Sequence, residues 1–209
     1  MAYSSADPAV NPLMHSWNQV YIRYCDGGTF SGAATHAVNA SFHLRFQGKA
    51  ILEAMVAELR NFHWLGAAKQ VVIGGSSAGG LAVYLHTDWW ASQLPRDTTV
   101  AGLADSGFFA DWSSTRPTQA THEYDEDIRS SFKLMNCSGG VNQNCVAAAR
   151  ADRRPLADCY FANNTLPHVS TPIFVLQSVY DSWQLQVMCC SLMCTCCCCC
   201  LCCCCCCLY

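Results

Sequence analysis

One stretch constrains the fold of this chain more than any other: Gly74-Gly75-Ser76-Ser77-Ala78-Gly79-Gly80. It follows the apolar run Gln70-Val71-Val72-Ile73 and leads straight into a helical pattern. A strand that turns at once into a helix needs small residues on both sides of the bend, because larger side chains would meet the backbone. Gly75, Ser77 and Gly79 fit the spacing G-x-S-x-G. In a strand–turn–helix setting that spacing lifts a serine hydroxyl above the edge of a sheet. It also leaves the next amide, that of Ala78, placed to stabilise an oxyanion with help from the helix N-terminus. Glycine- and serine-rich turns occur in many loops, so the flanking pattern, more than the motif, carries the expectation that Ser77 is a nucleophile.

The flanks predict an α/β fold with a mostly parallel sheet covered by helices. Strands are expected over 20–25, 42–46, 71–74, 99–105 and 172–178. Helices are expected over 49–62, where Ile51, Leu52, Met55, Val56 and Leu59 recur at helical spacing, over 81–91 and over 121–135. Strands alternating with helices imply parallel pairing. The 209 residues suffice for one core. A net charge of −3 gives no reason to expect a nucleic-acid partner.

A serine nucleophile needs a base, and the base needs an orienting carboxylate. In the α/β-hydrolases, which carry their serine at such a turn, the chain order is Ser, then Asp, then His. Asp105 and Asp181 both end strands after Ser77. Asp181 lies on the later strand and is the preferred acid; Asp105 reads as a turn or cap carboxylate. The histidines are His15, His36, His43, His63, His86, His122 and His168, and none follows Asp181. Each reads as a surface or packing residue, so the triad looks cut short.

Cysteine divides the chain. Fourteen of the 18 cysteines fall between Cys189 and Cys207. The chain therefore reads as one domain over 1–187 and a low-complexity tail over 188–209. A metal site needs spaced ligands with turns between them, which unbroken cysteine runs cannot supply. A membrane span would be built of Leu, Ile, Val and Phe over about 20 residues. The tail is expected to be disordered or the translation of repetitive sequence by a faulty gene model; no metal, cofactor or membrane partner is expected. Cys137, Cys145 and Cys159 share a stretch rich in Asn, Gly and Ala, which suggests a loop stapled by a disulfide. Sequons at Asn39, Asn136 and Asn163 fit the same oxidising compartment. Met1–Asp7 has neither the basic nor the apolar region of a signal peptide, so a secreted protein's true start is expected to be missing.

Several blocks together resemble the pectin acetylesterase family, which also contains the Notum carboxylesterases. They are Trp17-Asn18-Gln19-Val20-Tyr21-Ile22-Arg23-Tyr24-Cys25-Asp26-Gly27-Gly28, Phe46-Gln47-Gly48, Gly75 to Ala82, Asp105-Ser106-Gly107-Phe108-Phe109, Cys159-Tyr160-Phe161 and Tyr180-Asp181-Ser182-Trp183-Gln184. The resemblance spans about residues 10 to 186 and is nearer to the pectin acetylesterases than to Notum. It implies an α/β-hydrolase-like domain, incomplete at both ends, and a serine carboxylic-ester hydrolase, secreted or in the cell wall. Its partner would be an acetylated polysaccharide such as pectin or another acyl ester. Ser77 would be the nucleophile, Asp181 the triad acid and Ala78 an oxyanion donor. The family's upstream oxyanion segment and its triad histidine are absent, and Cys25 would have lost its disulfide partner with the upstream part. The alternatives are a catalytically dead carbohydrate-binding fragment, a Notum-like protein O-acyl esterase and, for the tail alone, a metal binder.

Overall fold

The computed structural model describes residues 2–37, 43–112 and 124–184. The cysteine tail, Asn39, Phe42 and His122 lie outside them. The central sheet has three strands, β3 (Gln70–Ser76), β4 (Thr99–Asp105) and β5 (Ile173–Leu176), in that spatial order and all parallel. A two-stranded antiparallel ribbon, β1 (Ala34–Ala37) with β2 (His43–Phe46), stands apart from it. The helices are α1 (Gly48–Phe62), α2 (Ala78–Ser92), α3 (Tyr124–Leu134), α4 (Gln143–Ala151) and the short turns α5 (Ala162–Thr165) and α6 (Ser182–Gln184).

The period of each sequence explains its place. β4 alternates, and Val100, Gly102 and Ala104 are its buried set. They face α2: a Cβ on Gly102 would lie 2.7 Å from Val83 Cγ1 and 3.1 Å from Thr87 Oγ1. α2 is apolar on nearly all sides, which suits a helix buried all round. Leu81, Val83, Tyr84 and Leu85 are each no more than 4% exposed. α1 buries one stripe, Leu52, Val56 and Leu59, against Trp90 and Phe30.

The segment 20–25 corrects one expectation. It forms no strand, and Tyr21 is 86% exposed. Aromatic and β-branched residues give strand propensity, but a strand persists only with a hydrogen-bonded neighbour, and none among the described residues is paired with it. The turn that closes the segment does form. Asp26 Oδ2 accepts the amides of Gly28 (3.1 Å) and Phe30 (3.0 Å) and sits over Gly48, where a Cβ would collide with it at 2.0 Å. The partner strand β1 was not foreseen; Ala34-Thr35-His36-Ala37 carries no alternating apolar signal.

A helical layer covers the other side of α2. The expected disulfide joins Cys145 in α4 to Cys159, with Cα atoms 5.8 Å apart, and Cys137 is a buried free thiol. Arg129 of α3 ties this layer together. Its guanidinium reaches Asp111 (2.7 Å), Asp158 (3.1 Å) and Asp125 (3.3 Å) and lies 4.8 Å from the centroid of the Phe161 ring. Asn136 is exposed. Asn163 is half-buried beside a fully buried Thr165, whose hydroxyl donates to Cys159 O.

Candidate active site

The register fixes which residues share one edge. Ser76, Asp105 and Leu176 stand side by side at the carboxyl ends of β3, β4 and β5. Ser77 follows the first, and Asp181 comes five residues after the last. Open parallel sheets place their ligands outside this edge.

Ser77 is the residue between β3 and α2, and its backbone has φ 55° and ψ −122°. Few non-glycine residues adopt a positive φ, and the surroundings must hold one that does. Here the hold is backbone against backbone. The Ser77 amide donates to Asp105 O at 2.9 Å, and its carbonyl accepts from the Leu81 amide at 3.0 Å. A Cβ on Gly75 would sit 2.2 Å from Gly79 O, and one on Gly107 would sit 2.2 Å from the Gly80 carbonyl carbon. The glycines thus let the helix start against the strand and let the loop after β4 lie on the first turn of α2. Ser77 is exposed, and its hydroxyl has no hydrogen-bond partner among the described residues. Ala78 opens α2, so its amide is one of the first N–H groups with no acceptor inside the helix. A serine hydroxyl facing solvent beside such an amide is equipped for acyl transfer.

Asp181 precedes α6 and is half-buried. Its Oδ1 accepts the Gln184 amide at 2.9 Å, and its Oδ2 accepts Gln177 Nε2 at 3.0 Å. Both glutamines also grip Phe108. Gln177 Oε1 accepts the Phe108 amide, and Gln184 Nε2 donates to the Phe108 carbonyl, each at 3.0 Å. Phe108 follows Gly107, which presses on Gly80 of α2. The carboxylate is therefore fixed, through two side chains and one loop, to the helix that Ser77 heads. Gln177 and Gln184 were not foreseen; the signal available was an amide four residues before and another three residues after the candidate acid.

Asp105 plays a different part. Its carbonyl holds the Ser77 amide, and its carboxylate Oδ1 accepts Ser106 Oγ at 2.9 Å. Burial and the Asp105 charge together raise the pKa of the Tyr3 phenol, whose ring lies beside Gly74.

No histidine among the described residues bonds to Ser77 or Asp181. His86 is buried in α2, where its Nε2 donates to Thr29 O at 2.7 Å, and burial lowers its pKa to about 4. His63 pairs with Glu58, His36 bonds to Leu134 O and His43 is exposed. His15 and His168 are half-buried. Among the described residues no group of histidines, cysteines and carboxylates is arranged to hold a metal, and no described helix is long and apolar enough to cross a membrane.

Known proteins resemble this chain in sequence and fold. The profile of the Pectinacetylesterase family matches residues 1–199. Pectin acetylesterase 5 of Arabidopsis thaliana is 34% identical over 182 residues, covering 87% of this chain and 40% of that protein. The palmitoleoyl-protein carboxylesterase NOTUM of Homo sapiens is 33% identical over 191 residues, covering 88% and 37%. A solved structure of the Wnt deacylase Notum from Drosophila superposes with a TM-score of 0.75 at 30% identity, covering 89% of this chain and 53% of that one. The chain thus spans about two fifths of the length of these curated relatives.

Proposed function

The chain belongs to the pectinacetylesterase family, and on that premise we propose that it is part of a secreted serine esterase that removes acetyl groups from a decorated polysaccharide. The observation that carries the proposal is Ser77, held at φ 55° at the head of α2, with its hydroxyl unpartnered among the described residues and the Ala78 amide beside it.

The reaction follows from those groups. Ser77 Oγ attacks the acetyl carbonyl carbon and gives up its proton to a base. The carbonyl oxygen becomes an oxyanion facing the Ala78 amide. Collapse breaks the bond to the sugar oxygen, which takes the proton and leaves as an alcohol. Water then attacks the acetyl-serine, acetate departs and Ser77 regains its proton. Asp181 is the carboxylate that would orient the imidazole base and stabilise its charged form. The base itself is not supplied by any described histidine. Removing one triad member costs on the order of 10⁴- to 10⁶-fold in turnover, so this chain alone is expected to hydrolyse esters barely above the buffer rate.

The test uses p-nitrophenyl acetate and acetylated pectin with this chain and with a longer transcript that carries a histidine segment after Gln184. The longer protein should release acetate, and its Ser77→Ala variant should not. Turnover that survives Ser77→Ala would remove the serine mechanism. Strong Ser77-dependent turnover by the present chain would make one of its seven histidines the base, with His168 the first to replace.

A second reading is a protein O-acyl esterase. It is favoured by the identity to human NOTUM, which nearly equals that to the plant enzyme. Preference for p-nitrophenyl octanoate over acetate in the longer protein would decide for it.

A further inference from the structure

A cleft of about 220 Å³ lies on the side of α2 turned away from the sheet. α1 forms one wall with Lys49, Leu52 and Glu53, and the turn from Gly139 to Asn144 forms another. The floor is the outer face of α2, with Leu85, His86 and Trp89. Val83 and Thr87, which touch the sheet at Gly102, lie on the opposite face of the same helix. Trp89 is twelve residues beyond Ser77, about 18 Å along a helix that rises about 1.5 Å per residue. The cleft is therefore separate from the serine edge and has no part in the chemistry above.

Its lining is of two kinds. The Trp89 ring supplies the accessible apolar surface, with Leu52, Leu85 and Val141 packed beneath the cleft. The polar groups that remain free are few and of defined character. The carbonyl of Thr29 can only accept, so the 2.7 Å contact makes His86 Nε2 the protonated nitrogen and leaves Nδ1 a bare acceptor. No donor among the described residues reaches it. Lys49 and Glu53 are paired at only 3.7 Å, with side chains 40% and 49% exposed, an ion pair of little strength. Both are free to turn onto a ligand. Asp88, by contrast, is used up: it accepts the amides of Ser170 and Thr171 and the side chain of Asn142.

We propose that this cleft is a subsite for one neutral pyranose ring. A ligand here must donate hydrogen bonds to His86 Nδ1 and to Glu53, accept one from Lys49 and lay an apolar face on the Trp89 ring. A sugar ring does all four, with hydroxyls at its rim and C–H groups on its face. The volume is below the 300–1,000 Å³ or so of a drug-sized site and suits one ring. The sign of the charge decides against a uronate. Glu53 and Asp88 outnumber Lys49, and His86 is neutral at ordinary pH because burial disfavours its charged form. The site therefore selects a neutral sugar, whatever polymer the serine edge acts on.

Saturation-transfer NMR on the full chain tests this, with methyl β-galactopyranoside as the neutral probe and galacturonic acid as the anionic one. The neutral glycoside should bind saturably and galacturonic acid at least severalfold more weakly. Ser92→Phe places a ring at the exposed rim of the cleft and should abolish the signal. Glu53→Ala should weaken it roughly fivefold, the loss of one hydrogen bond to a charged group. Both sites are exposed, and urea unfolding checks that each variant keeps its fold. Four results would each overturn the proposal: no saturable binding of the neutral glycoside, undiminished binding in Ser92→Phe, tighter binding of galacturonic acid, or loss of binding in Ser77→Ala, which would put the sugar at the catalytic edge.

Discussion

The elbow and the helical layer behind it are held by opposite means. Around Ser77, backbone meets backbone: Gly75 on Gly79, Gly80 on Gly107, the Ser77 amide on Asp105 O. In residues 124–168, side chains do the holding, through one disulfide, one arginine shared by three carboxylates and a set of buried apolar groups. Backbone contacts define a position tightly and tolerate no added atom. Side-chain contacts are graded, and each can be trimmed at a moderate cost. The part that carries the proposed nucleophile is built the first way, and the layer behind it is built the second.

The largest expected effect comes from breaking the first kind of contact. Gly107→Ala would put a methyl carbon 2.2 Å from the Gly80 carbonyl carbon. It should destabilise the protein by at least about 4 kcal/mol in urea unfolding, among the larger costs of a single substitution. A loss under about 1 kcal/mol would show that the loop after β4 can lift off α2, and the contrast would fail.

The disulfide comes next. Cys145→Ala with Cys159→Ala opens a loop of 14 residues and should cost about 3 kcal/mol by chain entropy. Ser77 should keep its geometry in the double variant, because nothing in the elbow depends on that bond.

Acid should act on the junction between the two regions. His86 is buried neutral, with a folded pKa of about 4 against an ordinary 6.5. The unfolded chain binds this proton first, so stability falls as pH drops from 6.5 towards 4 and loses no more from this group below that. The total is on the order of 3 kcal/mol. His86→Gln should flatten that part of the pH–stability curve; an unchanged slope would mean that other groups set it.

The smallest effect is expected at Arg129. Arg129→Met removes the cation that Asp111, Asp125 and Asp158 share, although Arg154 still lies 3.8 Å from Asp158. The guanidinium is about a quarter exposed, so water relieves part of the cost, and about 2 kcal/mol is expected. Removing Asp158 as well should recover some of it, which a double-mutant cycle would read.

The sequence disclosed the two regions unequally. Residues 70–107 were legible because the information is local: an apolar run, a glycine turn, a mostly apolar helix and an alternating strand each decide their own fate. The segment 20–25 has the composition of a strand and is not one, because pairing is a property of two segments and only one can be read. The disulfide was foreseen as a class, but three cysteines in one loop do not say which two meet. Asp181 read as a strand-end acid, but β5 ends at Leu176, five residues before it, and the two glutamines that fix it became visible only once Phe108 was seen to lie between them. His86 read as a packing residue, and it is one.

Ser77 takes its shape from a partner 28 residues away, since Asp105 O holds its amide. A peptide spanning only 70–92 would lack that acceptor, so the bend cannot be finished when its own residues have folded. It must wait until the chain has run through the rest of α2 and β4 has docked. In time, then, the Ser77 bend is a late product of folding, and its amide should be among the slow ones in hydrogen exchange. It would exchange with solvent when β3 and β4 part, not when the end of α2 frays.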